Sequence, residues 1–165
     1  MGGVYTEGNR IRLISFFLTP HTKGSAVAGS LDVTVVDPTG LAGADPVFLE
    51  GAGPEGGDLL TTIASIAGNV VTLTTAVSES VDLVRFGKRV APSTITFKVK
   101  QPPRAGGTLE TFLAPHAQIT NPALGKYVLE YDPPSHGTYR WRADGTGTAA
   151  GAEEDSFVVE RSEIV

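Results

Sequence analysis

The spacing closest to a known chemical motif is Gly51-x-Gly53-x-x-Gly56, which matches the dinucleotide-binding fingerprint. That fingerprint binds a pyrophosphate only where its glycines open a helix whose N-terminus faces the phosphates. Here Pro54 interrupts the motif, and the run that follows, Leu59–Ile66, alternates and is rich in β-branched residues. The pattern therefore predicts a mobile glycine-rich loop, with no nucleotide and no other cofactor.

Histidines and carboxylates are the other residues that would carry chemistry. His21, His116 and His136 lie in predicted connectors, where an imidazole is usually solvated. A zinc site needs three or four converging ligands, and no pair of His, Asp or Glu residues has ligand spacing within one predicted element. The run Glu153-Glu154-Asp155 precedes a predicted strand, so its neighbouring carboxylates point to different sides of the backbone. We expect a solvated turn there, no metal site and no catalytic residue.

Aromatic residues near the C-terminal end raise a different possibility. Trp141 with Tyr127, Tyr131 and Tyr139 would make a stacking platform for a sugar or a base if the rings were exposed. Tyr139 and Trp141 alternate with two arginines, however, which places the rings on the buried face of a strand. The alternation predicts that these aromatics stabilise a core.

Composition limits the class of protein. The chain has 165 residues, 41% of them hydrophobic, enough for one ordinary domain or two small ones with a real core. Its 20 glycines and 11 prolines, set among alternating runs, indicate many turns between short strands. The net charge of −5 and the scattered basic residues argue against nucleic acid as a partner.

Cysteine usage and hydropathy add three expectations. The sequence has no cysteine, which excludes a disulfide framework and a cysteine nucleophile and fits assembly in a reducing cytoplasm. No run approaches the roughly 18 apolar residues of a membrane-spanning helix, so no membrane partner is expected. Residues 1–22 lack the basic start, apolar run and cleavage site of a signal peptide.

Period-two alternation predicts an all-β chain, with no helical period of useful length. The clearest element is a hairpin over Leu59–Ala76, because Gly68-Asn69 supplies the positive φ angles of a tight turn. The other predicted strands are Arg10–Leu18, Leu31–Val36, Pro46–Glu50, Val81–Phe86, Thr94–Lys100, Leu109–Leu113, Lys126–Tyr131, Thr138–Ala143 and Ser156–Glu160.

Turn-rich composition at residues 19–30 and 87–93 predicts connectors, and residues 116–125 predict a longer connection. An insertion is tolerated where its two ends lie close together on the host surface. We therefore expect residues 1–22 and 91–165 to form one β domain and residues 23–90 to form an inserted β module.

Four segments of the outer piece carry a family resemblance: YTEGNRIRL at Tyr5–Leu13, APSTITFKVKQP at Ala91–Pro102, GKYVLEYDPPSHGTYRWRADGTG at Gly125–Gly147 and AEEDSFVVE at Ala152–Glu160. They resemble the small immunoglobulin-like proteins encoded among bacteriophage structural genes. In those proteins a strand like RIRL leads almost directly into one like PSTITFKVK, so the resemblance implies an extra module between them. It also implies an immunoglobulin-like antiparallel sandwich, here without a cysteine pair.

The middle piece, LDVTVVDPTGLAGADPVFLEGAGPEGGDLLTTIASIAGNVVTLTTAVSESV, has a resemblance of its own. It is similar to the short β module that precedes the parallel β-helix in many phage tailspikes and tail fibres. The resemblance implies a small β-barrel-like or β-hairpin module nested in the sandwich.

Together the resemblances imply a non-enzymatic virion protein that acts by contact with other virion proteins and forms a homo-oligomer in the particle. An exposed capsid decoration, head-fibre or neck position is expected. A tail or head–tail adaptor that docks a fibre, a carbohydrate-binding host-adhesion module and a hydrolase with a carboxylate or serine site in a cleft remain alternatives. The residues expected to contact a partner lie in the glycine-rich loop: Gly51, Gly53, Pro54, Glu55 and Asp58.

Overall fold

Pairing between β-strands organises the part of the chain that the computed structural model describes, residues 3–149 and 151–161. Within it, short 3-10 turns at Pro54–Gly56, Pro103–Ala105 and Gly147–Ala149 are the only helical segments. The strands are β1 Val4–Thr6, β2 Ile11–Phe16, β3 Leu18–Ala26, β4 Asp32–Val35, β5 Pro46–Leu49, β6 Leu59–Ala67, β7 Val70–Leu73, β8 Val81–Arg89, β9 Ile95–Lys100, β10 Leu109–Leu113, β11 Ile119–Ala123, β12 Lys126–Tyr131, β13 Gly137–Gly145 and β14 Gly151–Glu160. The prediction of an all-β chain is confirmed.

The chain divides into two units. The segment up to Phe17 and the segment from Ala91 onward form the outer unit, and Leu18–Val90 form the inserted unit. The outer unit contains a five-stranded sheet in the order β1-β14-β13-β9-β10 and a three-stranded sheet in the order β11-β12-β2. β1 runs parallel to β14, and the other neighbours in both sheets are antiparallel.

Aromatic side chains join the two sheets of the outer unit. Tyr131, on β12, meets Tyr139 of β13 and Phe157 of β14 with ring centroids 6.0 and 6.4 Å apart. Tyr139 and Phe157 stack in parallel at 4.9 Å. Trp141 is also buried and stacks on Phe97 of β9 at 6.1 Å. The prediction that these aromatics belong to a core is confirmed for Tyr131, Tyr139 and Trp141, whereas Tyr127 is half-buried and meets Phe17 edge-on at 5.8 Å.

The inserted unit is a closed barrel with the strand order β3-β4-β7-β6-β5-β8. Alternate positions along each strand turn inward. The side chains at these positions are aliphatic apart from one phenylalanine. The interior side chains include Val33, Val35, Val47, Leu49, Leu59, Ile63, Val71, Leu73, Val77 and Phe86.

The central hairpin is confirmed, with its turn at Gly68-Asn69, where Gly68 has φ +58°. Its two faces are less regular than simple alternation predicts. Leu59 and Ile63 point into the barrel, but the β6–β7 register shifts after Ile63. Beyond that shift Ile66, on the opposite face in simple alternation, packs against the interior. A bulge of this kind bends a strand and helps a barrel to close.

The predicted connector at residues 19–30 is wrong, because β3 occupies most of it. β3 pairs with both β4 and β8, so backbone hydrogen bonds hold a strand whose side chains are largely polar. Only Gly24 and Ala26 are buried along it, which leaves no apolar alternation to detect.

The predicted connector at residues 87–93 is also partly wrong, since β8 continues to Arg89. Gly87 is needed there for close strand contact: a Cβ on it would lie 2.8 Å from the Pro20 carbonyl oxygen. Two further turn-rich stretches also contain strands, β11 within residues 116–125 and the end of β13 at Asp144-Gly145.

Candidate functional site

An open groove of about 820 Å³ lies over strands β3 and β8 of the inserted unit. It combines exposed apolar side chains with charges of both signs, a composition suited to contact with another macromolecule. We call it the β3–β8 groove. It is lined by His21, Thr22, Lys23, Val36, Glu50, Leu83, Val84 and Arg85.

Leu83 is the unusual residue of the β3–β8 groove. Its φ is +49°, in the left-handed region that a bulky residue rarely occupies, and the residue is 54% exposed. It lies in a bulge where the β3–β8 register shifts, a place where glycine often takes the left-handed conformation. The Leu83 N–H donates to the Ser25 hydroxyl at 2.9 Å, and that hydroxyl donates to Asp82 at 2.7 Å. These contacts hold a strained leucine at the surface.

Charged residues flank Leu83 in the groove. The Arg85 guanidinium lies 5.1 Å above the Phe48 ring, a cation–π arrangement. The Arg85 backbone pairs with Glu50, whose N–H donates to the Arg85 carbonyl at 3.0 Å and whose carboxylate accepts from the Arg85 N–H at 3.3 Å. Lys23 is exposed on β3. The groove therefore presents fixed charges around two exposed apolar side chains, Leu83 and Val36.

The glycine-rich loop predicted to contact a partner begins next to Glu50. Gly53 is buried, and a Cβ on it would lie 2.8 Å from the Asp58 carbonyl oxygen, so this glycine allows the loop to fold on itself. The Gly51 N–H donates to the Asp58 carboxylate at 3.1 Å, while Pro54 and Glu55 are exposed at the tip. The loop leads into β6 and not into an α-helix, so its glycines lack the geometry of the dinucleotide fingerprint.

The three histidines lie in different places. His21 is exposed on β3, in the β3–β8 groove and not in a connector. The Nδ1 of His116 accepts a hydrogen bond from the Gln118 N–H at 3.3 Å. The Nδ1 of His136 lies 3.9 Å from the Glu7 carboxylate. Within residues 3–149 and 151–161, no group of three or more histidine or carboxylate side chains converges as metal ligands would.

The predicted solvated turn at Glu153-Glu154-Asp155 is wrong, because all three residues lie in β14. Glu153 turns inward and joins the two sheets of the outer unit. Its Oε2 accepts hydrogen bonds from the Ser15 hydroxyl at 2.9 Å and from the Phe16 N–H at 3.0 Å. The expectation that neighbouring carboxylates point to different sides is confirmed, since Glu154 is exposed on the other face.

Glu154 belongs to an ion-pair network with residues of β9 and β13. Arg142 donates to Glu154 at 2.7 Å and to Asp144 at 2.5 Å, and Lys98 donates to Asp144 at 3.0 Å. Burial alone would raise the pKa of Asp144, but the hydrogen bonds from Arg142 and Lys98 outweigh it and lower that pKa. The Asp144 carboxylate thus keeps its negative charge to a lower pH than a free aspartate does.

A second groove, of about 410 Å³, lies beside β10 in the outer unit. Phe112 is half-buried there, with edge-on ring contacts to Tyr131 and His116. Burial raises the pKa of the Tyr131 hydroxyl. The groove is lined by Glu110, Thr111, Phe112, His116, Gln118, Tyr131 and Asp132.

Sequence patterns did not single out the β3–β8 groove. The sequence predicts His21 only as a solvated histidine, and Leu83 fits a strand pattern with no sign of its left-handed backbone. The groove forms because β3 and β8, some 60 residues apart in sequence, pair at the barrel closure. Alternation within one strand carries no information about that pairing.

Comparison of the chain with protein-family models, with characterised proteins and with solved structures returns no match. In the described part of the chain, no helix has the length and apolar character needed to cross a membrane.

Replacing Leu83 by glycine tests whether the groove stores strain. We expect Leu83→Gly to leave the free energy of unfolding unchanged or to raise it by up to about 1 kcal/mol, because glycine adopts a positive φ without penalty. Leu31→Gly is the matched control, since Leu31 is also exposed but has no left-handed backbone. It should lower stability by about 0.5–1 kcal/mol. Urea denaturation measures the free energy of unfolding of both variants. An equal loss of stability in the two would show that the Leu83 backbone is not strained.

The adjacent residues Glu153 and Glu154 allow a second test. Glu153→Ala removes the carboxylate that accepts hydrogen bonds from the buried Ser15 hydroxyl and from the Phe16 N–H, and should cost about 2–3 kcal/mol of folding free energy. Glu154→Ala removes one exposed ion pair with Arg142 and should cost less than about 1 kcal/mol. Chemical denaturation of both variants measures the two losses of stability. Similar losses would show that Glu153 does not join the sheets.

Proposed function

We propose that the protein is a non-enzymatic structural component of a bacteriophage virion, in which an immunoglobulin-like sandwich carries a nested β-barrel and acts through contact with other virion proteins. The observation that carries the proposal is the strand arrangement of the outer unit, interrupted by the closed barrel between β2 and β9. The assignment to a virion rests on the resemblance of the outer segments to immunoglobulin-like phage proteins.

Strand order supports the immunoglobulin-like part of the proposal. Such sandwiches place the second, fifth and fourth strands in one sheet and the third, sixth and seventh in the other. Apart from the inserted barrel, β2, β12 and β11 form the three-stranded sheet, and β9, β13 and β14 lie together in the five-stranded one. β10 takes the place of the first of the two strands that variable-type domains add to that sheet. One departure is that β1 joins the larger sheet, parallel to β14.

A tyrosine corner supports the same assignment. In immunoglobulin domains a tyrosine near the start of the sixth strand hydrogen-bonds to backbone a few residues upstream, two positions before a core cysteine. Here the Tyr139 hydroxyl donates to the Ser135 carbonyl at 2.7 Å. Two positions later the chain has Trp141, which stacks on Phe97 of β9. Trp141 thus stands at the position of that cysteine, and its ring packs against a neighbouring strand of the same sheet.

The placement of the barrel supports a display role. β2 and β9 follow each other in the outer unit, in agreement with the phage proteins in which a strand like RIRL leads almost directly into one like PSTITFKVK. The barrel occupies the connection between them and carries the strained, exposed Leu83 of the β3–β8 groove. Strain kept at a surface is a basis for proposing a contact site.

An exposed position as a capsid decoration, head-fibre or neck protein fits the net charge of −5 and the barrel's exposed groove. A carbohydrate-binding module would need exposed rings, and Tyr131, Tyr139 and Trp141 are buried. The contacts that we assign to function are therefore between proteins.

Particle purification tests the proposal. Particles from phage-producing cultures that carry the gene are banded by density, and the chain is quantified by mass spectrometry against the major capsid protein. We expect the chain to band with particles at a fixed copy number, and immunogold label to mark the head or neck. A chain found only in the soluble fraction, at no fixed ratio to particles, contradicts the proposal. Label on the tail alone would favour the adaptor position.

A further inference from the structure

Strand β10 forms an open edge of the five-stranded sheet, since β9 is the only described strand that pairs with it. The Gln101 N–H donates to the Thr108 carbonyl at 2.9 Å, and the Ala114 N–H donates to the Ile95 carbonyl at 3.0 Å. Antiparallel pairing alternates, so residues 108, 110, 112 and 114 face β9 with their backbone groups. The N–H and C=O groups of residues 109, 111 and 113 therefore point to the open edge.

The same three residues expose an apolar surface. Leu109 and Leu113 are 54% and 58% exposed and lie on one face of the sheet, with Thr111 between them. The one charged residue of the strand, Glu110, is on the other face and accepts a hydrogen bond from Gln101 at 2.6 Å. Thr111 borders the open second groove. The exposed edge of β10 thus carries two leucines and no charge.

The other edges of the outer unit are protected in ways that block pairing with another chain. β1 has only three residues. β11 contains Pro122 and has an irregular register. β2 has Arg12 exposed on its surface. β10 has none of these features, and its lack of protection requires an explanation.

We propose that β10 is a dimerisation edge, at which two copies of the chain pair through antiparallel Leu109–Leu113 strands about a two-fold axis at Thr111. In that register Leu109 of one copy lies opposite Leu113 of the other, on both sides of the axis. Residues 109, 111 and 113 of each copy then exchange backbone hydrogen bonds with residues 113, 111 and 109 of its partner, which satisfies every group that points to the edge.

The register is specific, because only a two-fold axis at Thr111 satisfies two conditions together. It places the outward-facing backbone groups opposite one another, and it sets both exposed leucines of each copy opposite a leucine of the other. If one strand slipped by one residue against the other, the outward-facing groups of each copy would lie opposite residues whose backbone groups already bond to β9. The pairing is independent of whether the protein belongs to a virion.

Mass measurement by light scattering over low-micromolar to submillimolar concentrations tests the dimer. The wild-type mass should rise with concentration from 17.2 kDa towards twice that value. L109K/L113K places lysine opposite lysine and should stay monomeric, whereas L109K/L113E places lysine opposite glutamate and should recover the dimer. Leu31→Lys, at an exposed leucine elsewhere, should dimerise as the wild type does.

Any of three results would overturn the proposal. The first is a wild-type mass that stays at that of one chain. The second is the same behaviour, monomer or dimer, for L109K/L113K and L109K/L113E. The third is loss of the dimer in Leu31→Lys.

A cysteine at the axis gives an independent check of the register. The chain has no cysteine, so Thr111→Cys introduces its only thiol. Directly opposed residues in a hydrogen-bonded pair have Cα atoms about 5.5 Å apart, within the range of a disulfide. Mild oxidation should link Thr111→Cys into a covalent dimer and leave Thr120→Cys, exposed on β11, as a monomer. Equal cross-linking of both variants, or none in Thr111→Cys, contradicts the two-fold register.

Discussion

The pairing of Leu18 with Arg89, at the start of β3 and the end of β8, is the constraint on which the two-unit organisation depends. Since the two strands are antiparallel, this pairing brings both ends of the inserted stretch together. A stretch whose ends meet can interrupt another domain with little effect on it. Gly87 allows the strands to approach so closely, because a Cβ there would meet the Pro20 carbonyl and the His21 Cα. The seam that closes the barrel therefore also makes the insertion possible.

The outer unit solves a different problem, which is to hold two sheets together without a disulfide. Ring contacts of Tyr131 with Tyr139 and Phe157 join the sheets at the core. Glu153 joins them a second time, through hydrogen bonds to Ser15 and Phe16 of β2. A half-buried carboxylate is favourable only when its hydrogen bonds are made, so this contact also sets the position of β14 relative to β2. Packing and one polar contact thus replace a covalent link.

Sequence reasoning predicted the elements whose evidence is local. The hairpin at Gly68-Asn69 and the alternation of Thr94–Lys100 depend on neighbouring residues, and the structure confirms both. It missed β3, because a polar strand held by partners on both sides leaves no hydrophobic period. It also missed the strained backbone of Leu83 and the inward turn of Glu153, since both depend on strands distant in sequence. The glycine-rich loop could be predicted from its glycines, and its contact with a partner stays a prediction, while the groove beside it required the fold.

The central claim is that residues 18–90 close on themselves as a barrel, independent of the chain on either side. The most direct test is a ¹H–¹⁵N correlation spectrum of residues 18–90 expressed as a separate chain, compared with that of the full protein. We predict dispersed amide resonances that match those of the same residues in the full chain away from the new termini, and a single cooperative unfolding transition. A spectrum collapsed into the random-coil range would contradict the claim and show that the barrel needs the outer unit to fold.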